Sequence, residues 1–100
     1  MESPDKRLSW TQSPLYRELL SAFPEFRTRQ QNVLDVEAIA AGIGMTSEGF
    51  YKWLRQGRIL TARGVERLVE LANTAENVAA LERRGRTPPT KQELARFMLA

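Results

Sequence analysis

Apolar positions recur at helical spacing through most of this chain. Leu15, Leu19, Leu20 and Phe23 fall on one face of a first helix, which Ser13 would cap, Pro14 would open and Pro24 would end. Val36, Ile39, Ala40 and Ile43 repeat at i, i+3, i+4 and i+7 behind Asp35, a good N-cap. Leu34 and Ile39 stand as a hydrophobic staple across that start, and Gly44 follows as the left-handed closing residue. Thr46 caps a third helix with Phe50, Trp53 and Leu54 turned inward, and Gly57 closes it. Thr61 opens a fourth, carrying Val65, Leu68, Val69 and Ala72, with Asn73 near its end. Thr74 is placed to cap a fifth helix, with Val78 and Leu81, that runs to Gly85. Past the Pro88-Pro89 break, Thr90 and Glu93 have capping-box spacing ahead of Leu94, Phe97 and Met98. No stretch alternates with a period of two over a useful length. The pattern predicts an all-α protein, a small five- to six-helix domain.

The remaining segments lack such periodicity. Residues 1–12 are polar and are expected to form a flexible arm carrying Lys6 and Arg7. Residues 24–34 hold Arg27, Arg29, Gln30, Gln31 and Asn32 and read as a loop with one helical turn at most. Residues 13–73 then form the principal domain, and 74–100 a helical extension.

With 100 residues, 42% of them apolar, the chain suits one compact domain. It has no cysteine and no histidine, which removes disulfides, thiolate nucleophiles, imidazole bases and the common zinc sites. No pair of carboxylates is singled out by the pattern, so no catalysis, metal or cofactor is expected. No apolar run approaches the ~18–20 residues of a membrane span, and the amino terminus lacks a signal-peptide core. The expected location is cytoplasmic, with no membrane partner.

Charge changes this picture by its distribution. The net charge is only +3, yet between residues 52 and 67 stand Lys52, Arg55, Arg58, Arg63 and Arg67 with Glu66 as the single acid. Such a stripe suits a polyanion surface, although a solvated helix face has the same composition.

The stretch Val36-EAIAAGIGMTSEGFYKW-Leu54 carries the chemistry. Two short helices joined at Gly44-Met45 must pack closely. That demands a small residue at Ala40, a residue tolerant of positive φ at Gly44, and apolar fillers at Ile39, Ile43, Met45, Phe50 and Trp53. With Phe50, Trp53 and Leu54 inward, steps of about 100° put Glu48, Lys52 and Arg55 outward and Tyr51 on the flank.

Residues 36–55 resemble the helix-turn-helix of the lambda repressor and Cro-like class of bacterial and phage regulators. Ala40 falls at the small-residue position, Gly44 at the turn glycine, Met45 just after it, and Phe50 and Trp53 at the buried positions of the recognition helix. Arg55-Gln-Gly-Arg58 and the helix from Ala62 continue the likeness, which spans roughly residues 13–73. Val36 stands where the class often has a phosphate-contacting glutamine, so that contact is not carried over.

The resemblance implies a phage-related transcriptional regulator that binds double-stranded DNA, with Thr46 and Ser47 entering the major groove. Ser47 could then hydrogen-bond a base, and Glu48 could either accept from a cytosine amino group or simply pair with Lys52. Lys52 or Arg55 would donate to guanine or hold phosphate, while Thr46, Tyr51, Arg58 and Arg63 suit phosphate contacts. Gly49, inside this helix, reflects either a close backbone approach or plain tolerance. Arg27 and Arg29 read as loop residues with phosphate contact as the alternative.

Val78, Leu81, Leu94, Phe97 and Met98 are read in two ways. They either form a homodimer surface in the extension, which would suit paired DNA half-sites, or complete the core of one chain. The competing function is a protein-interaction module that uses the same scaffold to bind a protein partner.

Overall fold

In the computed structural model, residues 10–28 and 33–99 are described, and among them the secondary structure is six helices and no strand. Helix α1 spans Pro14–Ala22, α2 Val36–Gly42, α3 Ser47–Gln56, α4 Ala62–Ala72, α5 Ala75–Arg83 and α6 Lys91–Leu99.

Five of the six starts are set by local side-chain caps, as expected. Ser13 Oγ accepts from the Tyr16 amide at 3.1 Å, and the Asp35 carboxylate accepts from the Ala38 amide at 3.2 Å. Thr46 and Thr61 accept from the Gly49 and Gly64 amides at 3.1 and 2.9 Å. At α6 the box is reciprocal: the Thr90 amide donates to Glu93 at 2.8 Å, and the Glu93 amide donates to Thr90 Oγ1 at 3.1 Å. Thr74 departs from expectation. It occupies the N-cap position of α5, but its hydroxyl donates backwards to the Leu71 carbonyl at 3.0 Å and caps nothing.

Of the segment expected as a loop with one helical turn at most, residues 24–28 and 33–34 are described, and they carry an extended pairing. Arg27 and Leu34 form an isolated antiparallel bridge, flanked by bonds from the Thr28 amide to the Val33 carbonyl and from the Asp35 amide to the Phe26 carbonyl. Phe26 stands edge-on to Phe23 at 5.5 Å, so an apolar anchor draws this segment against α1. The chain therefore leaves α1 and enters α2 at a defined place.

One core joins nearly every element. Leu15 and Leu19 of α1 and Phe23 at its C-cap share a core with Ile39, Phe50, Leu54, Val65 and Leu68, all fully or nearly fully buried. Helix α2 packs on α3, and α4 packs on both α5 and α6. Leu94 and Phe97 of α6 belong to the same cluster as Leu15 and Phe50. Of the apolar side chains read as either a partner surface or core, Leu81, Leu94 and Phe97 are buried, and Val78 and Met98 half-buried.

Asn77 joins the ends of three elements from within. Its side chain is fully buried, donates to the Ala22 and Ala72 carbonyls at 2.9 Å each, and accepts from the Glu25 amide at 3.4 Å. These bonds satisfy the terminal carbonyls of α1 and α4, which would otherwise be buried without partners.

Residues 1–9 of the expected arm lie outside the described residues. Trp10 and Thr11 form a helical turn, the Ser13 amide bonds to the Trp10 carbonyl at 3.2 Å, and the Trp10 ring packs on the core. Lys6 and Arg7 lie outside the described residues, as does Arg29. Among the described residues no helix is long and apolar enough to cross a membrane.

Candidate nucleic-acid interface

Helix α3 owes its position to its inner face. Phe50, Trp53 and Leu54 are buried, with the Phe50 and Trp53 rings 5.8 Å apart. The preceding turn is tight: the Met45 amide bonds to the Ala40 carbonyl at 2.9 Å, and Gly44 takes φ +76°. A side chain at Gly44 would be strained there, which is the role the sequence predicts for it.

Trp53 sets the next element as well. A Cβ at Gly64 would overlap Trp53 Cη2 and lie 2.9 Å from Cζ2 and 3.0 Å from Thr61 Oγ1. The start of α4 is therefore pressed directly onto the indole. Helix α2 makes the matching close approach on the other side, where a Cβ at Gly42 would lie 2.9 Å from Leu71 Cδ1 of α4. Ala40 is buried, and among the glycines a Cβ would be most crowded at Gly64, against the indole, and next at Gly42, against the end of the Leu71 side chain. A glycine three residues into a capped helix is a weak helix former, and that was the available signal for Gly64. Gly49 is less crowded than these two. A Cβ there would meet Met45 Cε at 3.2 Å and Thr46 Oγ1 at 3.3 Å.

With the inner face fixed, Glu48, Lys52 and Arg55 stand together on the outer face of α3, all exposed. Thr46 is exposed and Ser47 half-buried at its amino-terminal end, and Tyr51 is half-buried on the flank. Arg58 is exposed in the turn to α4, where buried Ile59 acts as the anchor. Arg63 is exposed in the first turn of α4. The Trp53–Gly64 contact brings that turn alongside α3. Arg67, half-buried, reaches back from α4 so that Nη1 lies 3.3 Å from where a Cβ of Gly44 would sit.

The electrostatics leave this surface open. Among the described residues Lys52, Arg55, Arg58 and Arg63 make no ion pair, and Glu48 does not pair with Lys52. Glu66, the one acid of the stripe, is engaged by Lys91 of α6 at 3.3 Å. Other cations are held by acids: Arg83 by Glu25 at 3.9 Å, and Arg86 and Arg96 by Glu18 at 4.0 and 3.9 Å. Exposed pairs of this kind contribute about 1 kcal/mol or less, so they matter mainly for where charge is neutralised.

Arg27 is not a solvated loop residue. Its Nη2 and Nε donate to the Leu20 carbonyl at 2.7 and 3.1 Å, finishing the end of α1. Burial, and next the nearby Arg84 charge, lower its pKa from the ordinary arginine value.

Trp10 is the neighbour of this surface that the periodic pattern could not show. Its ring stands edge-on to Tyr16 at 5.6 Å and to Tyr51 at 5.9 Å, with interplanar angles of 82° and 84°. No family model, no curated protein and no solved structure matches the chain.

Proposed function

We propose that this protein binds double-stranded DNA and acts as a transcriptional regulator, with α2, the Gly44 turn and α3 forming a helix-turn-helix of the lambda repressor-like type. The observation that carries the reading is the outer face of α3. Lys52 and Arg55 are exposed and free of acid partners among the described residues, on a helix whose opposite face is locked into the core. Arg58 and Arg63 extend the charge toward α4. In this reading the amino-terminal end of α3, with Thr46 and Ser47, enters the major groove. Glu48, Lys52 and Ser47 face base edges, while Thr46, Tyr51, Arg55, Arg58 and Arg63 hold phosphate.

Phosphate neutralisation makes binding depend on salt. Each Lys or Arg contact contributes about 0.9 to the log–log slope of affinity against salt concentration. Fluorescence anisotropy with duplex DNA at two salt concentrations is the test. Binding should weaken steeply with salt, and Lys52→Ala/Arg55→Ala should lose most affinity and lower the slope by about one, since Arg55 is the phosphate contact of the two. A folded protein that shows no binding at low salt would move the reading to the protein-interaction module. That alternative draws little support from the surface, because Val33 and Leu60 are the only large apolar residues exposed among those described.

A homodimer on half-sites about 34–36 Å apart is part of the proposal, since one such motif reads few base pairs. Its contact surface has to lie outside Leu81, Leu94 and Phe97, which are buried in the single chain. Sedimentation with and without a palindromic duplex checks the association state.

A further inference from the structure

We propose that Trp10 is a positioning residue for DNA binding, clamping the Tyr51 ring so that its hydroxyl is held as a donor to a backbone phosphate beside α3. The proposal rests on the DNA-binding reading and adds a residue that the helix pattern leaves out.

Tyr51 has two unlike ends. Its ring is half-buried on the flank of α3, one step round from Arg55, and meets the edge of Trp10. Its hydroxyl makes no hydrogen bond among the described residues, and no unpartnered side-chain oxygen is buried there, so the hydroxyl opens to solvent. The polar tip is therefore available while the ring is fixed.

The clamp is itself anchored. Trp10 leans on Tyr16, which is buried in α1, and the Tyr16 hydroxyl accepts from the Leu34 amide at 3.2 Å. The backbone beside Trp10 is tied by the bond from the Ser13 amide to its carbonyl. A continuous line of contacts thus runs from α1 through Trp10 to Tyr51. Holding a side chain in its bound rotamer before binding removes an ordering cost, and a tyrosine so held binds about two- to tenfold better than a free one. Were Tyr51 only a packing residue, its ring would be needed and its hydroxyl would not.

The experiment compares duplex-DNA affinity, at two salt concentrations, for wild type, Tyr51→Phe, Trp10→Ala, the double variant and Trp10→Phe, with thermal melting of each. Tyr51→Phe and Trp10→Ala should each weaken binding about three- to tenfold without changing the salt slope, since no cation is removed. The double variant should bind no worse than the weaker single one, and Trp10→Phe should recover most of the loss. If Trp10→Ala is unfolded at the assay temperature, Trp10→Leu takes its place. Unchanged affinity in Trp10→Ala, losses that add in the double variant, or a lowered salt slope would each overturn the assignment to the Tyr51 hydroxyl. Lys52→Ala/Arg55→Ala in the same assay separates the two readings. If that variant binds like wild type, or wild type does not bind, the DNA reading fails and Trp10 has no such role.

Discussion

At Gly64 a single added methyl group would strike the Trp53 indole and crowd the Thr61 cap, whereas at Gly49 it would meet only a methionine methyl and a hydroxyl at 3.2 and 3.3 Å. The two glycines should therefore respond in opposite ways. Gly64→Ala forces α4 away from α3 or tilts the indole, and should destabilise the fold by about 1–3 kcal/mol through overpacking. Gly49→Ala adds helix propensity of about 1 kcal/mol, and Met45 can yield by the few tenths of an ångström required, so stability should hold or rise. Urea melts of both variants check this, and a Gly64→Ala protein as stable as wild type would mean that the Trp53 contact is loose. The proposed DNA contact belongs to the same scale. Lys52 and Arg55 are exposed, so their removal should cost affinity while leaving the melting temperature nearly unchanged.

Helices in this chain are short, nine residues or so for most, and short helices depend heavily on their ends. Thr61→Ala removes an acceptor from the Gly64 amide and should cost about 1 kcal/mol. Thr74→Ala should cost less, because the Thr74 hydroxyl caps no amide and the Leu71 carbonyl it serves also receives the Thr74 amide at 3.3 Å. Thermal unfolding of the pair compares them directly, and equal losses would contradict the difference in geometry. These starts were legible in the sequence because a cap is a local bond: a hydroxyl or carboxylate reaches an amide three residues on. The phase of α3 was legible for a similar reason. Phe50, Trp53 and Leu54 select its inner face, and the helical repeat then assigns the outer one.

Over the whole molecule, α6 decides how independent the first four helices are. Leu94 and Phe97 share a core with Leu15 and Phe50, and burying each stabilises the fold by about 1.5–3 kcal/mol. A domain of this size holds about 5–15 kcal/mol in total. Deleting residues 87–100 should therefore remove much of the stability and leave a broad, lowered thermal transition by circular dichroism. A truncated protein that melts sharply near the wild-type temperature would show that the core does not depend on α6.

What the sequence determined by itself was set by neighbours a few residues apart: five of the helix caps, helix stops at Gly44 and Gly57, and the faces of α2, α3 and α4. The outward placement of Glu48, Lys52 and Arg55 belongs to that group. What only the tertiary structure decided was which surfaces meet. Trp10 lies before the first periodic helix, and nothing near it in the chain says that its ring rests on Tyr51. Arg27 reads as a loop cation in the sequence, but the fold sets it against the Leu20 carbonyl. Asn77 reaches a carbonyl 55 positions away. Such contacts depend on where the backbone has already gone, and so carry no periodic signature. Charge count alone could not show which cations are engaged. The fold pairs Lys91 with Glu66 and Arg86 and Arg96 with Glu18, and leaves Lys52, Arg55, Arg58 and Arg63 without an acid partner among the described residues, because ion pairing requires proximity that only packing creates.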